Sequence, residues 1–495
     1  MNDTLCMVMA GGRGARLGPL TCHRAKPAAP FGGRYRIIDF VLSNFLNSGY
    51  RKIYVLTQYK SSSLIKHLSR NWHLGGTCRD FLEVAPAQMR LGEHWYRGTA
   101  DAVFQNLNLI HDERSQHVAI FSGDHIYKFA IDQMERAHRE MDADLTIATF
   151  PVPVADAHRF GVLSVNQQRQ VTAFQEKPKE NPLTLADNST HSLVSMGNYF
   201  FKTDVLVDAL HQLNAGGDAR FDFGRDVIPL LLSSGAKVCA YDFSQNLIPG
   251  EPKEARAYWR DVGTLDSYFD AHMDLRSNVP SLNMYNRSWR IHSAQRDYPP
   301  ARFVRDPDRP SGQVVDSLIC EGSIISGAHL DRSLIGYDCF IHGGARLTEV
   351  VTMSGCNIGL DAQLYRVLLD KNCSIAAGAQ IGSDPAQDRG RFPFITPNGV
   401  VVLPKGTHVP ARGPLELAQD VAELLLSETF TREALEALSE PCVISRGRFR
   451  HSYTSAGPRY SQYRGGDLSA FRPGQAPAEQ ALARGLESQQ YTDKS

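Results

Sequence analysis

The sequence predicts an α/β domain built on a mostly parallel sheet, followed by a parallel β-helix. Over residues 1–275, short β-branched runs alternate with longer amphipathic segments, which is the pattern of a parallel sheet covered by helices. Over residues 313–403, aliphatic residues recur with a period of 17, which is typical of short strands stacked in coils. A proline-rich segment, 276–312, lies between them and is predicted to be a linker.

Composition narrows the classes of function. At 495 residues the chain is too long for one core, so two or three domains are expected. Its 53 basic and 53 acidic residues balance, so the protein has no net positive charge that would attract nucleic acid. We therefore expect it to act on small molecules. No apolar run approaches the roughly 20 residues that span a bilayer, and no signal peptide is recognisable. We therefore expect a cytoplasmic protein without membrane contact, and we expect its nine scattered cysteines to be reduced and metal-free.

The strands predicted in the first domain place two loops at one edge of the sheet. After the N-terminal apolar run, the predicted strands are Ile53–Thr57, His117–Ser122, Asp144–Phe150, Val194–Phe201 and Lys237–Phe243. Ligands bind beyond the carboxyl ends of the strands in such sheets. The glycine loop at Gly11 follows the first strand, and Asp124 follows a later one. Both loops are therefore expected to share one site.

The glycine loop itself is the first candidate for ligand binding. Its sequence is Gly11-Gly12-Arg13-Gly14-Ala15-Arg16. Glycines let the backbone approach a ligand closely, so amide groups could point at phosphate oxygens while Arg16 adds charge. The spacing matches neither the P-loop nor the Gly-x-Gly-x-x-Gly fingerprint. A tight turn with solvated arginines is the alternative.

Three further motifs carry groups suited to phosphate or metal chemistry. Lys26, in the sequence Arg-Ala-Lys-Pro-Ala, could offer a point charge to a polyphosphate or lie on the surface. Gly98 and Thr99 could form the first turn of a helix and let a nucleotide base approach closely, or they could form an ordinary N-cap. Asp124 and Asp261 offer the hard oxygen ligands that Mg²⁺ prefers, and each alone would be a turn aspartate.

Three sets of positions define the repeat of the second domain. Each set recurs every 17 residues: Ile324, Ile341, Ile358 and Ile375; Leu330, Leu347, Leu364 and Ile381; Ala328, Ala345, Ala362 and Ala379. Two apolar positions six apart in every unit suit short strands that each place one side chain inside a coil. Cys339, Cys356 and Cys373 follow the same period, and a column of small buried residues is favoured over a redox role.

The C-terminal extension, 404–495, breaks the repeat. Leu415–Leu426 could form one amphipathic helix, and the rest is predicted to be flexible, with disorder from residue 474 onward. Arginines and aromatic residues interleave between 446 and 472, a mixture that could stack on bases and neutralise phosphates. A solvated tail, or a segment packed on a sister subunit, is the favoured alternative, so nucleic acid is not the expected partner.

The motifs together resemble those of the sugar-nucleotide pyrophosphorylases, and more narrowly those of bacterial ADP-glucose pyrophosphorylase, or glucose-1-phosphate adenylyltransferase. The matching segments run in order from residue 5 to about 403. They include Gly-Gly-Arg-Gly-x-Arg-Leu at 11–17, Arg-Ala-Lys-Pro-Ala at 24–28, Phe-Gly-Gly-Arg-Tyr-Arg at 31–36, Trp-Tyr-Arg-Gly-Thr-Ala-Asp-Ala at 95–102, Gly-Asp-His-Ile-Tyr-Lys at 123–128, Glu-Lys-Pro at 176–178 and Tyr-Trp-Arg-Asp-Val-Gly-Thr at 258–264.

The resemblance implies both a fold and a reaction. The fold is a Rossmann-like nucleotidyltransferase domain followed by a left-handed parallel β-helix. In the reaction, the phosphate of glucose 1-phosphate attacks the α-phosphorus of ATP, which gives ADP-glucose for glycogen synthesis and releases pyrophosphate. UDP- or dTDP-glucose synthesis by the same fold is one alternative, and a regulatory subunit without catalysis is another.

The resemblance also implies residue roles. The implied triphosphate cradle is Gly11, Gly12, Arg16 and Lys26, the adenosine side is Gln88, Tyr96 and Gly98, the Mg²⁺ ligands are Asp124 and Asp261, and the glucose 1-phosphate pocket is Gly161, Glu176, Lys177 and Ser195. Of these, Arg16, Lys26 and Asp124 are expected to act in catalysis.

Regulation is the last expectation. The resemblance implies a homotetramer with an anionic metabolite as activator, similar to fructose 1,6-bisphosphate, and with AMP-like inhibition. The cations expected to converge on the effector are Arg34, Arg36, Arg366 and Lys405. Bacterial members commonly carry lysine where this chain has Arg34, and four unrelated surface cations are the alternative.

Overall fold

The structure is a computed structural model that describes residues 3–74, 80–216, 221–306, 309, 311–413, 415 and 417. All of them lie within one compact unit, Met1–His451. The predictions for the arginine and aromatic segment, for the tail from 474 and for nearly all of the helix at Leu415–Leu426 fall outside the described residues.

A nine-stranded sheet forms the centre of the first domain. Its strands are Thr4–Met9, Lys52–Thr57, Phe81–Pro86, His117–Ser122, Leu145–Pro153, Gly161–Val165, Val171–Glu176, His191–Lys202 and Val238–Asp242. The strand His191–Lys202 pairs antiparallel with three neighbours, and Val171–Glu176 pairs antiparallel with Gly161–Val165. The remaining strands run in one direction, so the prediction of a mostly parallel sheet is confirmed.

The predicted strand at Val194–Phe201 is therefore the exception to the parallel pattern. The described chain between Gly161 and Lys202 contains no helix. Parallel neighbours need a long crossover, usually a helix, whereas antiparallel neighbours do not. The local hydrophobic pattern could not reveal this, because a buried strand looks the same in either direction.

Helices bury both faces of the sheet. The α-helices of this domain are Ile37–Asn47, Ser62–Asn71, Thr99–Phe104, Leu107–Glu113, Ile131–Glu140, Thr203–Ala215, Ile228–Ser233 and Leu265–Leu275, with one further helix, Pro385–Arg391, beside the β-helix. Short 3₁₀ turns lie at Ala15–Thr21, Lys26–Ala28, Val154–Arg159 and Phe243–Gln245, and a π-helical turn lies at Phe223–Val227. Along the first strand, Cys6 and Val8 enter one core cluster while Leu5 and Met7 enter the other. A strand that is buried on both faces has an unbroken run of apolar residues in its sequence.

Two small antiparallel pairs complete the first domain. Pro30–Phe31 pairs with Tyr35–Arg36, and His125–Tyr127 pairs with Trp259–Asp261. The second pair joins segments more than 130 positions apart in the sequence. It carries two of the aspartates singled out above, one within it and one immediately before it.

The second domain is a stack of parallel coils with three sides. The first side contains Arg302–Val304, Ile324–Ser326, Phe340–Ile341, Asn357–Ile358, Ser374–Ile375 and His408–Val409. The second and third sides contain Gln313–Val315, Leu318–Ile319, His329–Asp331, Leu334–Ile335, Arg346–Thr352, Gln363–Leu369, Gln380–Ile381 and Val401–Leu403. All the pairs between coils are parallel, which is consistent with a left-handed β-helix.

The predicted repeat is confirmed with one exception. Leu330, Leu347, Leu364 and Ile381 stack in register, and the alanine and cysteine columns are buried. Ile341, however, pairs with Ile325 and not with Ile324, which pairs with Phe340. The first of these coils is one residue shorter than the period of 17, so the prediction for Ile324 is wrong.

The segment predicted to be a linker is packed against the first domain. Trp289 is 3% exposed and donates from Nε1 to Asn44 Oδ1 at 3.2 Å. Arg302–Val304 already pairs with Ile324–Ser326 in the stack, so β-helix pairing begins before residue 313. Arg24 of the first domain and Asp370 of the β-helix form a buried ion pair at 3.0 Å. Both the connection and direct contacts therefore hold the two domains together.

Leu364→Ala tests the stacked core. Leu364 is 2% exposed in the middle of its column, so the substitution is expected to lower the free energy of unfolding by about 2–5 kcal/mol. Tyr365→Ala on the same strand is the control, because Tyr365 is 42% exposed. Urea denaturation of both variants measures the difference, and equal losses would contradict the inward placement of Leu364.

Candidate active site

The glycine loop lies where the first strand ends, as predicted. Gly14 has φ of 65°, and a Cβ atom there would lie 2.7 Å from Lys26 Cβ. A side chain at this position would therefore both strain the backbone and displace Lys26. Gly12 has no neighbour within 4 Å of such an atom. The loop is thus tight against Lys26 at Gly14 and open at Gly12.

The ribbon of His125–Tyr127 and Trp259–Asp261 brings the two predicted metal ligands together. Asp261 lies opposite His125 in the register, and Asp124 directly precedes His125. Gly123 connects this ribbon to the sheet, and a Cβ there would lie 3.0 Å from Val8 Cγ1. The ribbon therefore sits closely over the end of the first strand.

Lys26 bridges the two aspartates. Its Nζ lies 3.0 Å from Asp124 Oδ2 and 2.9 Å from Asp261 Oδ1. The Lys26 side chain is 7% exposed, whereas that of Asp124 is 32% exposed. Ser122 Oγ donates to the other oxygen of Asp124. We call Lys26, Asp124 and Asp261 the ion cluster.

The pKa values in the ion cluster show that its members are charged. Burial alone would raise the pKa of both aspartates, but the Lys26 ammonium and His125, with a hydrogen bond from Ser122 at Asp124, together hold each pKa below its usual value. Burial alone would likewise lower the pKa of Lys26, but the two carboxylates raise it. The site therefore presents one cation and two anions at neutral pH.

His125 joins the two aspartates in a group that could hold a metal ion. Its Nε2 lies 3.5 Å from Asp124 Oδ1 and 4.0 Å from Asp261 Oδ1, and the ligand atoms of the three residues all lie within 4.8 Å of one another. Two carboxylates suit a hard divalent cation that keeps further oxygen ligands from phosphates or water. The donor set therefore fits such an ion. Sequence reasoning missed His125, although it directly follows Asp124.

Two arginines flank Asp261 on its other side. Arg159 donates from Nη2 to Asp261 Oδ2 at 2.9 Å. A Cβ atom at Gly263 would lie 3.2 Å from Arg159 Nη2 and 3.2 Å from Arg16 Nη2. Arg16 thus lies near Asp261 of the ion cluster, and sequence reasoning missed Arg159. Gly263 leaves room for the two guanidinium groups.

Of the residues predicted for the adenosine side, Tyr96 is linked to the glycine loop through Gln58. Tyr96 N donates to Gln58 Oε1 at 2.7 Å, and Gln58 Cβ would lie 3.3 Å from a Cβ at Gly11. Gly98 caps the helix Thr99–Phe104, as expected. Gln88 follows the strand Phe81–Pro86, where Ala87 N donates to Thr57 O at 2.9 Å.

The residues predicted for the sugar phosphate lie on neighbouring strands. Gly161 pairs with Glu176, and a Cβ at Gly161 would lie 3.0 Å from Glu176 Oε2. Lys177 has φ of 47°, and its exposed Nζ lies 2.8 Å from Glu176 Oε1. Ser195 lies at the irregularity in the strand His191–Lys202, and its Oγ accepts from Gly197 N at 3.2 Å.

Asp222 connects these two groups of residues. Its Oδ2 accepts from Thr99 Oγ1 at 2.9 Å, and its Oδ1 accepts from Gly224 N at 3.0 Å. A side chain at Gly224 would run into the Glu176 carboxylate. Asp222 therefore ties the start of the Thr99 helix to the Glu176 region. No sequence motif pointed to Asp222.

A second group of cations lies between the domains. Burial, and then Arg24 and Arg36, lowers the pKa of Lys371 to about 7, against the opposing effect of Asp370 and with a smaller contribution from Arg296. Burial also lowers the pKa of Arg36 to about 10, although Asp39 opposes this. We call Arg24, Arg36, Arg296 and Lys371 the interdomain cation cluster.

This cluster differs from the four cations that the sequence suggested. Arg36 belongs to it, and Lys405 adjoins it because Gly406 N donates to Lys371 O at 2.8 Å. Arg34 instead pairs with Glu321 at 3.4 Å, and Arg366 pairs with Glu349 at 2.9 Å. Carboxylates on the β-helix engage these two arginines, which a sequence pattern could not show.

Comparison with known proteins agrees with this architecture. The family model described as "Nucleotidyl transferase" matches residues 5–278, which include the ion cluster. The model described as "GlmU-like, C-terminal hexapeptide" matches residues 299–403. Within the described part of the chain, every helix is too short or too polar to cross a membrane.

Similar proteins narrow the family. Proteins named glucose-1-phosphate adenylyltransferase from Anaeromyxobacter sp. (strain Fw109-5), Deinococcus deserti and Arthrobacter sp. (strain FB24) are 43%, 46% and 43% identical to this chain. The alignments cover 83%, 81% and 87% of this chain, and 100%, 98% and 93% of those proteins. The chain belongs to the glucose-1-phosphate adenylyltransferase family.

Lys26→Gln tests the electrostatics of the ion cluster. Without the ammonium, two nearby carboxylates repel each other, so the free energy of unfolding is expected to fall by about 3 kcal/mol at neutral pH. In the parent protein, the pKa values of the two carboxyl groups are lower in the folded state than the value of about 4 in the unfolded state. They therefore stabilise the fold above about pH 4, and this stabilisation is lost as the pH falls through the folded-state pKa values.

The difference between parent and variant should therefore stay near its neutral-pH value down to about pH 4 and shrink below it, toward about pH 3. Urea denaturation across this range measures it. Lys52→Gln, which removes one partner of a half-buried pair with Glu113, is the control. A difference that is independent of pH would contradict the pairing of Lys26 with the aspartates.

Proposed function

We propose that this protein transfers the adenylyl group of ATP to glucose 1-phosphate, giving ADP-glucose and pyrophosphate, for glycogen synthesis. The observation that carries the proposal is the ion cluster at the carboxyl edge of the sheet, with Arg16 beside it. Negative charge develops on phosphate oxygens in such a transfer, and a preorganised set of cations stabilises it. The names of the relatives support the choice of substrates.

Binding of ATP is assigned to the loops around the glycine motif. The backbone of Gly11 and Gly12, with Arg16 and Lys26, would hold the triphosphate. Lys26 is suited to this role because its ammonium is fixed by two carboxylates and remains charged. Gln88, Tyr96 and Gly98 would face the adenosine.

Glucose 1-phosphate is assigned to Gly161, Glu176, Lys177 and Ser195. The Lys177 side chain is 64% exposed, so its ammonium is accessible to the phosphate of the sugar. The phosphate would then attack the α-phosphorus in line with the departing pyrophosphate, and the protein would mainly orient the two substrates. Asp124 and Asp261 would hold a divalent cation, which we propose is Mg²⁺ and which would offset the charge on the phosphates.

The nucleotide specificity separates this proposal from its alternatives. Initial rates are measured with ATP, UTP, dTTP and GTP, each with glucose 1-phosphate and Mg²⁺. Preference for ATP is expected. A preference for UTP or dTTP would identify a different sugar-nucleotide synthesis. Absence of turnover with every nucleotide, with and without effectors, would identify a regulatory subunit and contradict the proposal.

Asp124→Asn is expected to lower turnover by about three orders of magnitude or more, because it removes a charge directed at the metal and phosphates. The fold should survive, since the Asp124 side chain is 32% exposed in a loop. ADP-glucose formation and thermal unfolding measure the two effects. Asp204→Asn, at an exposed aspartate in the first turn of the helix Thr203–Ala215, is the control. Near-normal turnover in the Asp124 variant would refute the assignment.

We further propose that the interdomain cation cluster binds an anionic effector in a homotetramer. Neighbouring cations lower one another's pKa values, as at Lys371 and Arg36. Binding of an anion would relieve the repulsion between them. A ligand between the domains shifts activity only if it binds one arrangement of them better, with couplings of about 1–3 kcal/mol. AMP-like inhibition and a sugar bisphosphate activator are the proposed effects, and sedimentation equilibrium measures the oligomeric state.

Lys371→Ala is expected to reduce the ratio of activated to unactivated turnover by about tenfold, within the usual range of couplings. Because the Lys371 pKa is about 7, the ammonium is charged below neutral pH and neutral above it. The activator concentration for half-maximal effect should therefore rise in the parent between about pH 6 and about pH 8, and less so in the variant.

A panel of phosphorylated metabolites, including a sugar bisphosphate, and AMP provides the measurement. Arg366→Ala is the matched control, because Arg366 is occupied by Glu349. Equal loss of activation in the two variants would contradict the assignment of the effector to the interdomain cation cluster. It would instead favour the four cations suggested by the sequence.

A further inference from the structure

Arg159 lies between the two proposed substrate regions. It ends the 3₁₀ turn Val154–Arg159, two positions before Gly161. Its guanidinium packs over the Phe160 ring, with Cζ 5.4 Å from the ring centroid. Its Nη2 donates to the Asp261 carboxylate, which belongs to the ion cluster. Its side chain is 24% exposed, so it is held in place rather than free in solvent.

The two oxygens of Asp261 have different partners. Oδ1 faces the ion cluster, at 2.9 Å from Lys26 Nζ and 4.0 Å from His125 Nε2. Oδ2 accepts from Arg159 Nη2 at 2.9 Å. The same Nη2 lies 3.5 Å from the backbone oxygen of Asp261. Arg159 therefore contacts both the carboxylate and the backbone oxygen of Asp261.

The surroundings of Asp261 make this orientation specific. A Cβ atom at Gly263 would lie 2.9 Å from Asp261 Oδ2, 3.2 Å from Arg159 Nη2 and 3.2 Å from Arg16 Nη2. The absence of a side chain at Gly263 thus allows the guanidinium groups to reach the carboxylate. Because one oxygen meets Arg159 and the other faces Lys26, a partial rotation of the carboxylate would break both contacts.

We propose that Arg159 is a positioning residue that directs Asp261 Oδ1 toward the metal and keeps Oδ2 out of the coordination sphere. This inference rests on the metal role proposed above for Asp124 and Asp261. A partner that orients a ligating carboxylate commonly changes metal affinity by about 10–100-fold when removed. Arg159 acts through Asp261, and the sugar phosphate remains assigned to Lys177 and its neighbours.

The test measures metal binding directly. Mn²⁺ is the probe, and its free concentration is followed by electron paramagnetic resonance with the full-length chain and a non-hydrolysable ATP analogue. Arg159→Ala is expected to weaken Mn²⁺ binding by about tenfold. Arg159→Lys, which keeps the charge, should restore most of the affinity. Arg136→Ala, at an exposed helical arginine paired with Asp132, should bind Mn²⁺ as the parent does.

A double-mutant cycle with Asp261→Asn separates positioning from a general structural effect. If Arg159 acts through Asp261, adding Arg159→Ala to Asp261→Asn should weaken Mn²⁺ binding by less than about twofold. In the single Arg159→Ala variant, KM for glucose 1-phosphate should stay within about threefold of the parent, since ground-state contacts to the sugar are unchanged.

Three outcomes would overturn the inference. Unchanged Mn²⁺ affinity with a raised KM for glucose 1-phosphate would make Arg159 a sugar-phosphate ligand. Fully multiplicative effects in the double variant would show that Arg159 acts independently of Asp261. A parent protein that binds no Mn²⁺ would refute the proposed metal site itself, and the positioning role would fall with it. The first two leave the proposed metal site intact, so the failures are distinguishable.

Discussion

The bridge from Lys26 to Asp124 and Asp261 is the interaction around which the site is arranged. Removing one partner of a buried ion pair costs about 3–5 kcal/mol, whereas an apolar replacement of the whole set is often neutral. Stability alone therefore gives little reason for three charges at this place. The backbone around these charges is also tightly packed, because Gly14 lies close to Lys26 and Gly123 lies close to Val8. The fold brings positions 26, 124 and 261 together, and the proposed chemistry with phosphates gives a reason for their charge.

Much of this arrangement could be predicted from the sequence. The apolar first strand, the glycine loop and Asp124 after His117–Ser122 all follow from the rule that parallel strands end at one edge. The period of 17 predicted the columns at Leu347 and Leu364 because each coil must fill the same interior space. Such inferences succeed where burial forces a regular pattern on neighbouring residues.

Other features depend on contacts that no local pattern encodes. Arg159 and Asp222 lie near the site because of how distant segments cross, and neither belongs to a glycine or charge motif. The sequence suggests Arg34 and Arg366 as effector cations, but it does not reveal that Glu321 and Glu349 on the β-helix pair with them. The shift at Ile324 reflects a step of 16 residues, instead of 17, between Ile325 and Ile341. Each case required knowledge of a tertiary neighbour.

The central claim is that these groups orient two substrates for one direct displacement at the α-phosphorus, without a protein nucleophile. The stereochemical course of the reaction tests this most directly. The protein is given glucose 1-phosphate and ATP made chiral at the α-phosphorus with sulfur, and the configuration of the sugar-nucleotide product is determined. A single in-line attack predicts inversion. Retention would reveal an adenylylated protein intermediate and would contradict the account.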